Sequence, residues 1–286
     1  MPIIGAHVSA AGSLELSFDK ASEMGAECTQ IFLSPPRQWF YHKHDQAEIL
    51  RYKEAAKTTG IGPNFIHGTY LINLATEKKD HLQKSIDWLI YSLNMAGELG
   101  ISGIIFHTGS HQGRGFEVVS DQIAKTISII IQQCYTSDVE HKPYLILENS
   151  AGAGGSVGRN FSELGQILKK VKNKRLKVCL DTAHAYTSGY DIKTNEGLKK
   201  VLAEFDKEIG LENLVAIHAN DSKFDIGTNR DRHENIGDGF IGKDGFKNLI
   251  SHPKLKNIPF ITEVPGYEGN GPDKKNVDIL KSLRQS

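Results

Sequence analysis

Nine side chains of the kinds that bind zinc recur along this chain: His67, His107, Glu148, Asp181, His184, His218, Asp231, His233 and Glu263. Six of them close short apolar runs, as does His7. From His67 onward these run-ending residues are spaced 40, 41, 33, 37 and 45 positions apart by subtraction. A lone histidine in such a place is more often a hydrogen-bonded core residue than a ligand. A ligand type at the end of run after run is a different signal. One zinc takes about four ligands, so nine suit two or three ions with a bridging carboxylate. Imidazole-rich ligation favours zinc over magnesium. Such a centre makes hydroxide available at neutral pH and neutralises developing charge on oxygen. The sequence shows no convincing Ser-His-Asp or Cys-His arrangement and no P-loop, so neither a side-chain nucleophile nor nucleoside triphosphate use is indicated.

The elements that must position these residues read as eight short strands: Ile3–His7, Cys28–Leu33, Asn64–His67, Gly103–His107, Tyr144–Glu148, Lys177–Asp181, Leu214–His218 and Pro259–Glu263. They are apolar and rich in β-branched residues, as buried parallel strands are. Each gap between ligands fits one strand, one helix and two loops. Helical patterns run from Leu14 to Gly25, from Lys79 to Gly100, from Asn160-Phe-Ser-Glu163 onward, and from Lys274 to Leu283. Eight such units point to an α/β fold, a (β/α)8 TIM barrel, with its chemistry at the C-terminal strand ends. Residues two positions before each ligand share its face. Phe65, Ile105, Ile146, Cys179, Ala216 and Ile261 should therefore fill the barrel one layer below, with Cys179 a core thiol.

Two local motifs extend the set. Asp181-Thr-Ala-His184 places two ligand types three residues apart just past a strand. Asp231-Arg-His233 aligns two on one face of an extended loop. That loop, residues 219–243, has no helical periodicity, and loops this long in a compact domain are usually functional. Glycines at 152, 154 and 155 and at 266, 269 and 271 follow Glu148 and Glu263 and read as tight turns.

Bulk properties bound the function. Nothing in 286 residues marks a linker or domain boundary, so 1–286 reads as one domain. A hydrophobic content of 39% supports a sizeable core. No apolar run approaches the roughly 20 residues of a membrane helix, and the N-terminus lacks signal-peptide features. The three cysteines form no paired motif and fit a reducing, cytoplasmic setting. A formal net charge of +0 does not favour a nucleic-acid binder, yet binding depends on where charge sits.

The motifs GAHVSAAGS at 5–13, RQW at 37–39, HGTYLINLA at 67–75, HTGSH at 107–111, LENSAGAG at 147–154, LDTAHAYTSGYD at 180–191, HANDSK at 218–223, NRDRHENIGDG at 229–239 and EVPGYEGNGPD at 263–273 closely resemble the endonuclease IV family of zinc-dependent DNA-repair enzymes. The resemblance runs nearly end to end. Thr108 and Val264 depart from the family's usual proline and threonine, and neither is at a ligand position.

The resemblance implies a barrel with three Zn2+ ions. His67 and His107 would hold one ion, which Glu148 bridges to a second. Asp181, His218 and Glu263 would complete that second site, and His184, Asp231 and His233 would hold the third. His7 drops out as a ligand and becomes a hydrogen-bonding neighbour of the site. The implied activity is hydrolysis, by a metal-bound hydroxide, of the phosphodiester 5′ to an abasic site in double-stranded DNA. It leaves a 3′-hydroxyl and a 5′-deoxyribose phosphate, and the same centre trims 3′-blocking groups. Arg37, Tyr70 and Leu71 are nominated to fill the gap in the base stack, and Lys223, Arg230 and Arg232 to contact phosphates. Nothing demands more than a monomer. Two rivals remain. A sugar isomerase on the same barrel type would have a carboxylate-dominated site with one or two ions. A non-catalytic damage-binding protein would lack ligands, and none is missing. Manganese in place of one zinc also stays open.

Overall fold

The computed structural model describes residues 1–134 and 142–284. Eight parallel strands close into a barrel. In chain order they are β1 (Ile4–His7), β2 (Thr29–Ile31), β3 (Asn64–His67), β4 (Gly103–His107), β5 (Tyr144–Glu148), β6 (Leu176–Asp181), β7 (Leu214–His218) and, after a two-stranded hairpin of β8 (Asp221–Ser222) and β9 (His233–Glu234), β10 (Phe260–Thr262). The order around the barrel is β1-β10-β7-β6-β5-β4-β3-β2, so β1 pairs with both β10 and β2. Four strands have the bounds read from the sequence. The runs expected at 3–7, 28–33 and 259–263 are shorter, because their end residues leave the ladder.

Cys28, Phe65, Ile105, Ile146, Cys179, Ala216 and Ile261 form a separate buried cluster inside the barrel. The expected layer beneath the ligands is thus present, and Cys179 is a core thiol. Burial raises its pKa to about 11. All three cysteines are free and buried. At Gly5 the chain passes so close to Cys28 that a Cβ would sit 2.3 Å from its Sγ, which excludes any side chain there.

Outside the strands lie α1 (Leu16–Met24), α2 (Gln46–Thr59), α3 (Lys79–Leu99), α4 (Phe116–Cys134), α5 (Phe161–Val171), α6 (Thr182–Thr187), α7 (Asn195–Glu208), α8 (Gly242–Ile250) and α9 (Lys274–Ser282). Gly25 and Gly100 end α1 and α3 in the left-handed region, the usual glycine stop. The Asn160 side chain caps α5 by accepting from Glu163 N. No helix among the described residues is long and apolar enough to cross a membrane.

Candidate metal centre

The strand ends converge on one buried carboxylate. Glu148, at the end of β5, is 1% exposed and is approached by four imidazoles. Its Oε2 lies 3.3 Å from His67 Nε2 and 3.6 Å from His107 Nε2. Its Oε1 lies 3.1 Å from His218 Nδ1 and 3.3 Å from His184 Nδ1. His218 Nδ1 is also 3.2 Å from Glu263 Oε2 and 3.9 Å from Asp181 Oδ2.

Asp181 and His184 come together because β6 runs straight into α6. The Asp181 carboxylate caps that helix by accepting from His184 N at 2.7 Å, and residues three apart share a helix face. His233 opens β9 and reaches this pair, with Nε2 3.7 Å from Asp181 Oδ2. Asp231, half-exposed, places Oδ1 3.2 Å from His184 Nε2 and 3.7 Å from His233 Nε2.

Ligand-type atoms within 4.8 Å of one another fall into three overlapping groups here: His67, His107 and Glu148; Glu148, Asp181, His218 and Glu263; and Asp181, His184 and His233. The first two match the expected sets. The third brings in Asp181, while Asp231 sits against both of its histidines. All nine expected residues are therefore gathered at one mouth.

The loop that brings Asp231 and His233 has its own anchor, the buried Asp221. Its carboxylate accepts backbone N–H groups from Ser222, Gly237, Gly239, Ile241 and Gly242. This hub explains how a stretch without helical periodicity holds a fixed shape. The strands β8 and β9, of two residues each, are too short to show a period in the sequence.

Hydrogen bonds fix which nitrogen each ring offers. His67 Nδ1 donates to Gly68 O at 2.7 Å, and His184 Nδ1 to Asn149 O at 3.0 Å. A carbonyl only accepts, so in the neutral rings both Nε2 atoms carry lone pairs. His218 Nε2 faces Gln30 Oε1 at 2.9 Å, while Gln30 Nε2 donates to Glu263 Oε1. A carboxylate cannot donate, which sets the Gln30 amide and leaves His218 Nδ1 with the lone pair. Three imidazole lone pairs thus face carboxylate oxygens at 3.1–3.3 Å. Each gap needs a cation, either a proton or a metal ion. For zinc bonds of about 2.0–2.1 Å, tetrahedral ligand atoms stand about 3.3 Å apart, so the spacing fits the metal. His233 Nε2 is buried without any hydrogen-bond partner, as a ligand nitrogen would be.

Charge in the protein alone follows the same logic. Burial pushes the Glu148 carboxyl up, but His107 and His218 outweigh it and hold it well below the usual range. Burial pushes His218 down, yet the Glu263 and Glu148 carboxylates carry it well above 6.5. Burial likewise opposes protonation of His184, and Asp181, Asp231 and Glu148 raise it well above 6.5.

Several supporting residues were not picked out from the sequence. Gln30 on β2 contacts His7, His218 and Glu263. Asn220 Nδ2 donates to Asp181 Oδ2 at 2.7 Å, and Asn149 Oδ1 accepts from Asp181 N at 2.6 Å. Asn149 directly follows a ligand candidate and Asn220 lies two residues past one, which was the available signal. His7 stands beside the site, 3.5 Å from Glu263 Oε1 and packed on Phe32.

Above the metal candidates a cleft of about 390 Å3 is walled by Phe32, Tyr70, Arg232 and Pro265 among others. A second lobe of about 410 Å3 is lined by Leu71, Asn73, Ser110 and Ala151. Tyr70, His107, His184 and Asp231 border both, so the 55%-exposed Tyr70 ring stands at the divide. Arg37 is exposed on the loop after β2. That loop is tied to the next, because Tyr70 N and Thr69 Oγ1 both donate to Pro36 O.

Residues 18–285 match the family described as xylose isomerase-like TIM barrel. A probable endonuclease 4 of Halothermothrix orenii is 39% identical, the alignment covering 97% of this chain and 99% of the relative. The chain belongs to the endonuclease IV family. A probable endonuclease 4 of Aquifex aeolicus is 37% identical, over 100% of this chain and 99% of the relative. The crystal structure of endonuclease IV from Thermus thermophilus superposes with a TM-score of 0.87 at 31% identity, covering 99% of each chain. A D-tagatose 3-epimerase-like protein reaches a TM-score of 0.73 at 20% identity, with 99% of this chain and 97% of that one covered. At that distance it shares the barrel alone. The sugar-isomerase alternative therefore rests on fold, whereas endonuclease IV membership rests on the whole sequence.

Proposed function

We propose that this chain is a zinc-dependent endonuclease of DNA base excision repair. It hydrolyses the phosphodiester on the 5′ side of an abasic site in double-stranded DNA. The products are a 3′-hydroxyl and a 5′-deoxyribose phosphate, and 3′-blocking groups are removed at the same centre. The observation that carries this reading is the three-part cluster around Glu148, at the mouth of a barrel belonging to the endonuclease IV family.

His67, His107 and Glu148 would hold one ion. Glu148, Asp181, His218 and Glu263 would hold a second. His184, His233 and Asp231, with Asp181 at their edge, would hold a third. Zinc bound there lowers the pKa of water from 15.7 toward about 7 and acts as a Lewis acid on phosphoryl oxygens.

The chain's own residues do the rest. Gln30, Asn149 and Asn220 orient the ligands so that little reorganisation is needed during reaction. Glu148, buried beneath the cleft, stays ionised and keeps the three groups in register. Phe32, Tyr70 and Pro265 wall the site and limit water. Tyr70, with Leu71 beside it and Arg37 on the tethered loop, enters the space left by the missing base. A duplex must be opened to expose a lesion nucleotide, and inserted side chains compensate the lost stacking. Lys223, Arg230 and Arg232 bring positive charge to the phosphates. All nine ligand candidates come from one chain, so a monomer suffices. Three free buried cysteines suit a reducing cytoplasm.

The test is strand scission of a duplex carrying one tetrahydrofuran residue, which cannot undergo β-elimination. A nick immediately 5′ to it with an extendable 3′-hydroxyl supports the reading. No nick from protein replete with zinc ends it.

A further inference from the structure

A second group of ligand types lies outside the barrel mouth, where the segment between β2 and α2 meets the first turn of α2. His42, His44 and Glu48 each offer an atom within 4.8 Å of the others. Glu48 Oε2 stands 3.7 Å from His42 Nε2 and 3.6 Å from His44 Nδ1, both beyond hydrogen-bond length. The two rings meet edge to face with centroids 4.4 Å apart.

The local sequence builds this arrangement. His42 and His44 stand two residues apart on the irregular segment that leads into α2, with their rings in contact. Asp45 then caps α2, and Glu48 turns back over the helix start to accept Asp45 N in a capping box. That bond fixes the Glu48 carboxylate beside both rings.

His44 is the second, independent observation. Its side chain is only 4% exposed, and both ring nitrogens are buried without a hydrogen-bond partner. A buried imidazole left unsatisfied is costly, and native structures rarely keep one without a purpose. One nitrogen of the neutral ring carries a lone pair, and Glu48 Oε2 supplies a negative oxygen beside Nδ1. Two imidazoles and a carboxylate are a donor set for a borderline dication of the zinc class.

We infer that His42, His44 and Glu48 bind one zinc-class dication, separate from the barrel centre, with a coordination position left open to solvent. The ion staples the segment whose other end carries Arg37. That segment is otherwise held by side chains reaching across from neighbouring loops and α3: Tyr91 Oη donates to His42 O at 2.5 Å, and Thr69 Oγ1 donates to Pro36 O at 2.6 Å.

The test counts zinc in the full-length protein after dialysis against a buffer holding free zinc at micromolar level. Wild type is compared with His42→Ala, a change at an exposed ring, and with His44→Gln. Each variant is expected to hold one ion fewer than wild type, with abasic-site nicking within about twofold of wild type. Zinc is also expected to slow hydrogen exchange across residues 38–48 in wild type and not in His42→Ala. Equal zinc counts in wild type and both variants would overturn the assignment. So would a count that falls by more than one ion, since that would tie these residues to the barrel centre.

Discussion

Gln30 and Glu263 are joined by a short hydrogen bond, Nε2 to Oε1 at 2.6 Å, while the same Gln30 amide presents its oxygen to His218 Nε2 at 2.9 Å. One neutral side chain thereby orients two ligand candidates and selects the His218 tautomer. Gln30→Leu should leave the barrel folded, because Gln30 pairs in the ladder through its backbone and its side-chain bonds are to His7, His218 and Glu263 at the site. Zinc affinity should fall by about 10- to 100-fold, as for other residues that orient metal ligands. Competition against a chromophoric chelator measures this, and an unchanged affinity would show that Gln30 orients nothing.

Metal removal should reverse the pH dependence of stability. In the metal-free protein His184 and His218 have pKa values raised above 6.5. Their contribution is complete below 6.5 and is lost as pH rises through the folded-state values. Glu148 and Glu263 are depressed below 4.5, so their contribution holds above 4.5 and is lost on further acidification. Metal-free Tm should therefore peak between these limits and decline toward alkaline pH. The rise in Tm on adding zinc should grow with pH across the same range, since ligands must be deprotonated to bind. Thermal melts with and without chelator from pH 5 to 9 test both slopes.

Tyr70→Ala should separate substrate recognition from metal binding. Its ring stands between the two lobes of the cleft and packs on Phe32 and His67 rather than bonding a ligand oxygen. Stacking against a base is worth about 1–3 kcal/mol, so kcat/KM on an abasic duplex should drop by about 5- to 150-fold. Zinc content should be unchanged. A variant that loses metal as well would place Tyr70 in the support of the centre instead.

The chain ends contribute to stability through Glu27 and Arg284. The guanidinium donates to both carboxylate oxygens at 2.9 and 3.0 Å, and Glu27 also accepts from Ile4 N at the start of β1. Partial burial raises the Glu27 carboxyl, but bonds from Arg284 and Ile4 outweigh it and lower its pKa below 4.5. Glu27→Gln should cost about 1 kcal/mol at neutral pH, given the partial exposure of the pair. The difference from wild type should shrink as pH falls below 4.5. Urea denaturation at pH 7 and pH 4 checks the direction.

The sequence was most legible where type and position coincide. Apolar runs closing on His67, His107, Glu148 and His218 became strands with the bounds read for them, because a fully buried parallel strand tolerates little else. The β2 run shortened since Phe32 leaves the ladder to wall the cleft, a tertiary demand that no local pattern records. Gln30, Asn149 and Asn220 went unnoticed because neutral amides bind metal poorly and look like ordinary polar residues until their partners are known. The fixed shape of residues 219–243 was hidden for a related reason. It depends on one buried carboxylate, Asp221, collecting amides from as far along as Gly242. His42 and His44 also escaped reading, since only burial distinguishes the unpartnered His44 from a surface histidine.

The central claim is that the cluster around Glu148 is a hydrolytic centre for DNA at abasic sites. It is tested most directly by single-turnover cleavage of an end-labelled tetrahydrofuran duplex by wild type and Glu148→Gln, both loaded with zinc, with duplex affinity measured in parallel. The expected result is a 5′-side nick by wild type and a rate lower by roughly 10³-fold or more in the variant, with affinity retained. Equal cleavage by the two proteins would contradict the account.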